Sequence, residues 1–413
     1  MTHDAEKPRP SLPEFIALMA MLFATIAFSI DAMLPAFPAI AAELAPDNPN
    51  RAQLILSSFV LGMGIGTFFA GPLSDSYGRR GVILAGSALY CVGAAMAWAA
   101  PTLETVLIGR VIQGLGAAGP RIVSVALIRD LYSGRQMARI MSFAMMVFTL
   151  VPAVAPLVGA GIIAVTGWRG IFGAFILFSA VSMLWFMARL PETLPRANRT
   201  PMRIAPLKAA LREVLGLRVA QLSILMQALL FAALFGTLSQ IQSLFDQAFG
   251  QGDRFPLWFA MIALLAGSAS FLNAQLVVRL GMRRLIRLAL SAQVLVSGGM
   301  AALVCSGLTP DSAGFALFLV WVTGVFFMVG FTLGNINAIA MEPLGHIAGM
   351  AASVITALAT VAGVVLAVPL GLAFDGTIAP LALGVAVLAA AALIIQTKVP
   401  PSPDRSLAGA GGR

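Results

Sequence analysis

The sequence predicts an all-α membrane protein with twelve transmembrane helices in two six-helix bundles. Of its 413 residues, 59% are hydrophobic and only 10% are charged, whereas about 25% are charged in soluble domains. The apolar residues form continuous runs of about 20 residues, which is the length that crosses a bilayer as a helix. Polar and apolar residues do not alternate within these runs, which argues against a membrane β-barrel.

Twelve such runs follow one another along the chain, separated by short polar or glycine- and proline-containing connections. The runs of the first half are 14–39, 52–73, 82–100, 104–128, 140–165 and 169–188. Those of the second half are 219–244, 255–278, 285–306, 313–340, 348–373 and 377–397. An even number of spans places both termini on the same side of the membrane.

The distribution of lysine and arginine predicts which side that is. With these spans, only Arg51, Arg169 and Arg254 fall at the connections opposite the termini, and Arg110 and Arg121 lie inside spans. The remaining basic residues lie on the side of the termini, so the positive-inside rule places both termini in the cytoplasm. The net charge of +9 is then a topological signal, and no nucleic-acid partner is expected.

A polar, basic segment divides the chain into two halves. The predicted organisation is a cytoplasmic tail over 1–13, a six-helix bundle over 14–190, a cytoplasmic linker over 191–218, a second bundle over 219–397 and a tail over 398–413. Tyr77-Gly-Arg-Arg80 after the second span is echoed by Leu280-Gly-Met-Arg-Arg284 after the eighth. Duplicated six-helix halves are typical of secondary transporters.

Asp31 is the most informative residue, because it lies inside the first apolar run. An ionised carboxylate there costs about 2.5–3.5 kcal/mol on insertion scales. Pro35 cannot donate the amide hydrogen bond that the Asp31 carbonyl would otherwise accept, so a kink is expected at this point. A carboxyl at such a break is expected to face protein or water rather than lipid, where it can carry a proton.

The fourth span carries a polar stripe formed by Arg110, Gln113 and Arg121, which share one helix face. Asp31 and Arg110 both lie about 10–12 Å from the outer ends of their spans at 1.5 Å per residue, so the sequence predicts that they are electrostatically coupled. The alternative for Arg110 is snorkelling to the interface. For Arg121, a structural partner and a substrate contact are both open, and Gln113 on the same face is a further candidate for the substrate cavity.

Other residues have predicted roles in gating, bending and substrate binding. Asp75, Arg79 and Arg80 lie in the loop after the second span, where ion pairs could open and close between conformations. Pro152, Pro156 and Gly159 predict a kinked fifth span. Polar cavity candidates in the second half are Gln227, Gln240, Asn335 and Asn337, although each such amide alone is more often a helix–helix hydrogen bond.

Several of these segments resemble known motifs. The loop Gly71-Pro-Leu-Ser-Asp-Ser-Tyr-Gly-Arg-Arg80 closely resembles the signature of the major facilitator superfamily, and Arg110-Val-Ile-Gln-Gly-Leu-Gly116 resembles the fourth-helix motif of its proton-coupled members. Pro152–Gly161 resembles the antiporter motif, with Ala155 and Ala160 at two expected glycines. Ile30-Asp-Ala-Met-Leu-Pro35 is similar to the Bcr/CflA branch of drug/proton antiporters.

The resemblance implies the major facilitator fold, with inverted repeats and a central cavity open alternately to each side. It also implies a charge relay of Asp75, Arg79 and Asp130, with Asp75 near the N-terminus of the eleventh helix. The expected function is proton-driven export of small, partly hydrophobic compounds, with Asp31 and Arg110 in proton coupling. The proton-motive force would be the energy source, and the expected partners are the substrate, protons and the lipid bilayer, with the chain a monomer.

Other function classes are compatible with parts of this pattern. A proton symporter or facilitator of a sugar or nucleoside would use the same acid and arginine. A non-transporting receptor or scaffold is a more remote alternative. No converging catalytic set of His-Asp or Ser-His residues shares a depth, so an enzyme is not expected, and Cys91, Cys305 and two histidines predict neither a metal site nor another cofactor.

Overall fold

A computed structural model describes residues 10–202, 204–307 and 313–400, and the described chain is almost entirely helical. The predicted tails, 1–13 and 398–413, lie for the most part outside the described residues. The helices of the first half and the linker are α1 (Leu12–Asp31), α2 (Phe37–Leu44), α3 (Leu54–Tyr77), α4 (Arg79–Trp98), α5 (Leu103–Leu131), α6 (Gly134–Thr166), α7 (Arg169–Arg189) and α8 (Ile204–Gly216). Those of the second half are α9 (Arg218–Ser243), α10 (Phe255–Leu280), α11 (Met282–Cys305), α12 (Gly314–Met341), α13 (Ala348–Leu372) and α14 (Ala379–Thr397).

Twelve of these helices have the length of a membrane span. Within the described residues, eleven apolar segments are long and hydrophobic enough to cross a bilayer, and one of them, Gly314–Leu372, contains both α12 and α13. The two shorter helices are α2, which continues the first span beyond a break, and α8 in the linker. The predicted all-α class with twelve transmembrane helices is confirmed.

The spans pack as two groups of six with α8 between them in sequence. In the first half, α5 packs against α3 and α4, while α1 packs against α6 and α7. In the second half, α9 packs against α12, α13 and α14, and α11 packs against α12 and α14. The two halves meet mainly where α3 lies against α13 and where α6 lies against α10.

The repeated glycine turns have the same backbone conformation in both halves. Gly78, between α3 and α4, has φ 96° and ψ 155°, and Gly281, between α10 and α11, has φ 76° and ψ 152°. These φ values favour glycine, because a side chain is strained there. The echo found in the sequence therefore has a structural counterpart in two tight turns at equivalent positions.

The largest apolar cluster of the described residues joins the two halves. At the end remote from the start of α1, called here the far end, one buried apolar cluster includes Leu34 and Phe37 of the first half and Leu238 and Ile241 of the second. At the opposite, terminal end, the first half has a separate core around Phe15, with Ile83 and Leu127 among its residues. The halves are therefore held together most extensively at the far end.

Polar contacts reinforce this closure. The Asn50 amide donates to the carbonyl oxygens of Leu372 and Phe374, at 3.2 and 2.7 Å. The Ser239 hydroxyl donates to Gln53 Oε1 at 3.4 Å. Each of these bonds crosses between the halves near the start of α3, so the far end is closed by hydrogen bonds as well as by apolar packing.

Candidate functional site

A cavity of about 440 Å³ lies between the two halves, within the range of about 300–1,000 Å³ that small-molecule sites occupy. Its walls come from α1, α3, α5 and α6 of the first half and from α9, α10, α12 and α13 of the second. The lining is mostly apolar, and five phenylalanines contribute to it: Phe148, Phe231, Phe235, Phe259 and Phe326. The cavity can therefore enclose a small molecule with an aromatic or apolar body.

Asp31, the last residue of α1, lines this cavity. Its side chain is buried, with 5% of the residue surface exposed. Among the described residues, it has no hydrogen-bond or ion-pair partner. A buried carboxyl is normally paired because desolvation of the charge is costly. Its position at a cavity wall therefore leaves it accessible to a proton or to a ligand.

The chain break that places Asp31 is built by Pro35 and supported by α6. After Asp31 the α-helix stops, and a short 3₁₀ helix over Leu34–Ala36 leads into α2. Gly159 of α6 lies directly against the backbone carbonyl of Ala32, so closely that an added Cβ would overlap the oxygen. The α-helix is interrupted at the place where a kink is expected, and Gly159 allows close packing of α6 against Ala32. Pro152 and Pro156 lie within α6, which is continuous, and Pro152 also lines the cavity.

Arg110 is fully buried and is satisfied by neutral acceptors. Its guanidinium donates to Ser29 O at 3.0 Å, to Ile55 O at 3.3 Å and to Gln113 Oε1 at 2.8 Å. It also stacks on the ring of Phe59, 4.3 Å from the centroid. No ion pair joins it to Asp31 in the described structure.

The connection between Arg110 and Asp31 runs through the last turn of α1. Ser29, two residues before Asp31, accepts from Arg110 with its carbonyl, and its hydroxyl donates to Thr25 O at 2.6 Å. The same hydroxyl is hydrogen-bonded to the phenol of Tyr90. These bonds join α1, α4 and α5, so Arg110 positions the turn that carries Asp31 without neutralising its charge.

Arg121 is the second charged residue on the cavity wall. Its one hydrogen bond to a described residue runs from Nη1 to Met63 Sδ at 3.8 Å. A thioether is a weak acceptor, so the guanidinium keeps most of its donor capacity. Asp31 and Arg121 are thus opposite charges facing one enclosure without an ion pair between them.

The remaining predicted cavity residues lie elsewhere. Asn335 bonds Asn273 Oδ1 at 2.8 Å, and Gln240 donates to Leu370 O at 2.6 Å, so both link helices within the second half. Gln227 is buried on α9 away from the lining, and Asn337 on α12 is also absent from it. Gln113 is held by Arg110. Asn335 and Gln240 bond neighbouring helices because a membrane interior offers them no water.

The loop between α3 and α4 brings three of the predicted gating residues together. Arg79 donates to Asp75 Oδ1 at 2.5 Å and to Asp130 Oδ2 at 3.0 Å. Arg80 donates instead to Met187 O at 3.0 Å. Among the described residues, no hydrogen bond joins the Asp75 side chain to α13, which is the eleventh span. The cluster is therefore confined to the first half, at the terminal end.

Several lining residues are not predicted by the sequence. Thr149, Ser270 and Thr360 supply hydroxyl groups to the wall, and Phe259 and Phe326 supply aromatic surface. The small-residue stretch Gly267-Ser-Ala-Ser270 was an available signal, since small residues occur where helices approach closely. Which face of each helix turns inward, however, depends on packing that a single sequence does not display.

Comparison with known proteins agrees with this architecture. The model of the Major Facilitator Superfamily matches residues 17–368. The chain is 31% identical to a bicyclomycin resistance protein homolog of Haemophilus influenzae, over 74% of this chain and 77% of that protein. It is 27% identical to the multidrug resistance protein MdtL of Escherichia coli, over 78% of this chain and 80% of that protein.

A solved structure shows the same fold. The crystal structure of a D-xylose-proton symporter superposes with a TM-score of 0.75, covering 94% of this chain and 98% of that chain at 16% sequence identity. At this identity the likeness concerns the fold alone. The family match extends over most of the chain, and it agrees with the predicted resemblance and with the twelve observed spans. The chain therefore belongs to the major facilitator superfamily and is a multi-pass membrane transporter rather than an enzyme.

Proposed function

We propose that this protein is a proton-coupled antiporter that exports small, partly hydrophobic compounds, such as drugs, from a bacterial cell. It would work as a monomer in the inner membrane with both termini in the cytoplasm and with the proton-motive force as its only energy source. The names of the bicyclomycin and multidrug resistance relatives support drug-like substrates. The placement of basic residues supports the orientation.

The observation that carries the proposal is the unpaired Asp31 carboxyl on the wall of a cavity between two halves. A group in this position can take a proton from one side and release it to the other when the halves change their relative arrangement. Substrate would bind when Asp31 is ionised, and proton binding to the same carboxyl would favour release of the substrate. Competition of this kind, in one cavity, couples the outward movement of substrate to the inward movement of a proton.

The energy available per proton is sufficient for export. Each proton that enters releases about 2.3 kcal/mol per 100 mV of membrane potential and about 1.4 kcal/mol per unit of pH difference. Because about 1.4 kcal/mol corresponds to a tenfold concentration ratio, one proton per cycle could maintain a substantial outward gradient. Arg110 contributes by fixing the last turn of α1, through its bond to Ser29 O.

The test is proton-coupled transport in everted membrane vesicles. Candidate compounds, bicyclomycin among them, are added in turn, and a transported compound should partly collapse an imposed pH gradient, reported by a pH-sensitive dye. The Asp31→Asn variant should be expressed at the wild-type level, and vesicles that contain it should not show this response. Asp47→Asn is the matched control, because it is the same chemical change at a residue on an exposed loop outside the cavity. An undiminished response in the Asp31→Asn vesicles would remove Asp31 from the mechanism.

The direction of coupling is tested in the same vesicles with labelled substrate. Everted vesicles expose the cytoplasmic face, so an antiporter accumulates substrate inside when the vesicle lumen is acidic. A symporter would instead accumulate substrate when the exterior is acidic, and a facilitator would equilibrate it without regard to the gradient. Accumulation that follows an acidic exterior would therefore contradict the proposed antiport.

A further inference from the structure

Arg121 has a chemical environment that its neighbour Arg110 does not have. Both lie on α5, but Arg110 has three oxygen acceptors and an aromatic ring against its guanidinium. Arg121 has a single weak bond to Met63 Sδ, and no carboxylate among the described residues forms an ion pair with it. Arg110 is satisfied within the protein, whereas Arg121 presents unused donors to the cavity.

An unused guanidinium in an apolar enclosure indicates a ligand group. Arg121 is half-buried, and withdrawing a cation from water without a partner is costly. A guanidinium binds planar anions such as carboxylates with two parallel hydrogen bonds. The other charged residue on the wall is Asp31, which is also without a partner. The cavity thus offers one anionic and one cationic contact, separated from each other, between aromatic walls.

A ligand that meets both contacts carries both charges. A ligand that carries only a negative charge would place it in the same cavity as the Asp31 carboxylate. A ligand that carries only a positive charge would place it in the same cavity as the Arg121 guanidinium. A zwitterion neutralises each group locally and leaves the total charge of the cavity unchanged. Its amine would also compete directly with the proton for Asp31, as antiport requires.

From these contacts we propose that the cavity binds zwitterionic aromatic compounds. The carboxylate of the compound binds Arg121, its protonated amine binds Asp31, and its ring system packs among the phenylalanines of the lining, which include Phe148, Phe235 and Phe326. This inference rests on the proposed export function for its biological meaning, since it names the class of compound exported. The binding itself does not depend on proton coupling.

The experiment uses three compounds with one ring system. A piperazinyl arylcarboxylic acid is the zwitterion, its methyl ester is a cation, and its N-acetyl derivative is an anion. Equilibrium binding to the purified full-length protein in detergent is measured by dialysis. Arg121→Gln should raise the Kd of the zwitterion and of the N-acetyl acid by about 10- to 100-fold, which is the range for loss of a charged hydrogen-bond partner. The Kd of the ester should stay within about twofold, since less than 0.5 kcal/mol is then lost.

Two further variants complete the test. Arg121→Lys keeps the positive charge and should retain more affinity for the two acids than Arg121→Gln does. Arg129→Gln is the matched control, because Arg129 is exposed at the end of α5 and outside the cavity; it should bind all three compounds like the wild type.

Three results would overturn the inference: no binding of the zwitterion to the wild-type protein, acid binding that is unchanged in Arg121→Gln, or an equal loss for all three compounds in both Arg121 variants. Failure of the proton mechanism is distinguishable. In that case the Arg121 pattern persists in equilibrium binding, while the pH gradient in vesicles does not respond to the zwitterion.

Discussion

At the scale of single residues, the two arginines that the sequence places on one polar stripe of α5 have different environments. Arg110 is a buried structural cation whose donors are bound by backbone and amide oxygens. Arg121 faces the cavity. The sequence showed that both share a helix face with Gln113, but only the positions of α1 and α3 determine which guanidinium finds oxygen partners.

Arg110→Lys provides a test of the structural role. A lysine ammonium cannot reproduce the planar fork that reaches Ser29 O, Ile55 O and Gln113 Oε1. We expect a loss of about 1.5–3 kcal/mol of stability, as for a hydrogen bond to a charged group, and reduced transport. Thermal unfolding in detergent measures the first effect. Arg129→Lys, on an exposed part of the same helix, should unfold at the wild-type temperature; an unchanged unfolding temperature in Arg110→Lys would contradict the assigned role.

At the scale of helices, the break after Asp31 is the feature that makes the site. Its existence followed from the sequence, because proline cannot donate a hydrogen bond and a carboxylate does not face lipid without a cost. Its support did not, because Gly159 is over a hundred residues away in the chain and was expected to bend α6. In the folded chain it allows α6 to contact the Ala32 carbonyl.

Gly159→Ala tests this contact. The added methyl group would overlap the Ala32 oxygen, so α6 or the broken segment must shift. Overpacking of this kind costs about 1–3 kcal/mol, and the displacement of Asp31 should lower transport well below the wild-type rate. Transport in vesicles and unfolding in detergent are measured side by side.

The control for that substitution is a second glycine of α6. Gly161 of the same helix has open space around its Cα, with nothing within 4 Å of an added Cβ. Gly161→Ala should therefore behave as the wild type in both assays. Equal behaviour of the two alanine variants would show that the contact with Ala32 is unimportant.

The same scale marks the limit of prediction from sequence. The number of spans, the glycine turns and the proximity of Asp75, Arg79 and Asp130 could be anticipated from run lengths and motifs. The cavity lining of the second half could not. Gln240 and Asn335 were compatible with a cavity position, although such amides more often form helix–helix hydrogen bonds. The rotation of α9 and α12 turns them toward Leu370 O and Asn273.

At the scale of the whole molecule, the two halves share a core at the far end and have a separate core for the first half at the terminal end. A transporter that exposes its cavity alternately must open the far-end contacts. The contact between Gln53 of the first half and Gly371 of α13 is suited to a test, because a Cβ at position 371 would lie 4.0 Å from Gln53 Cβ. Disulfides need a Cβ separation of about 3.5–4.5 Å.

A disulfide between Gln53→Cys and Gly371→Cys, with Cys91 and Cys305 replaced by alanine, should therefore lock the far end closed. Transport in vesicles should be lost on oxidation and restored by a reducing agent. The single-cysteine variants should transport under both conditions. Retained transport in fully cross-linked protein would mean that the halves do not separate at this end.

In the proposed mechanism, Asp31 carries the proton that substrate displaces. The most direct test of this step is proton release from the purified protein in weakly buffered detergent solution, followed with a pH indicator on addition of a compound that collapses the pH gradient in vesicles. The wild type and Asp47→Asn should release protons in proportion to the substrate bound, and Asp31→Asn should release none. Release from the Asp31→Asn variant equal to that of the wild type would show that the proton is carried by another group.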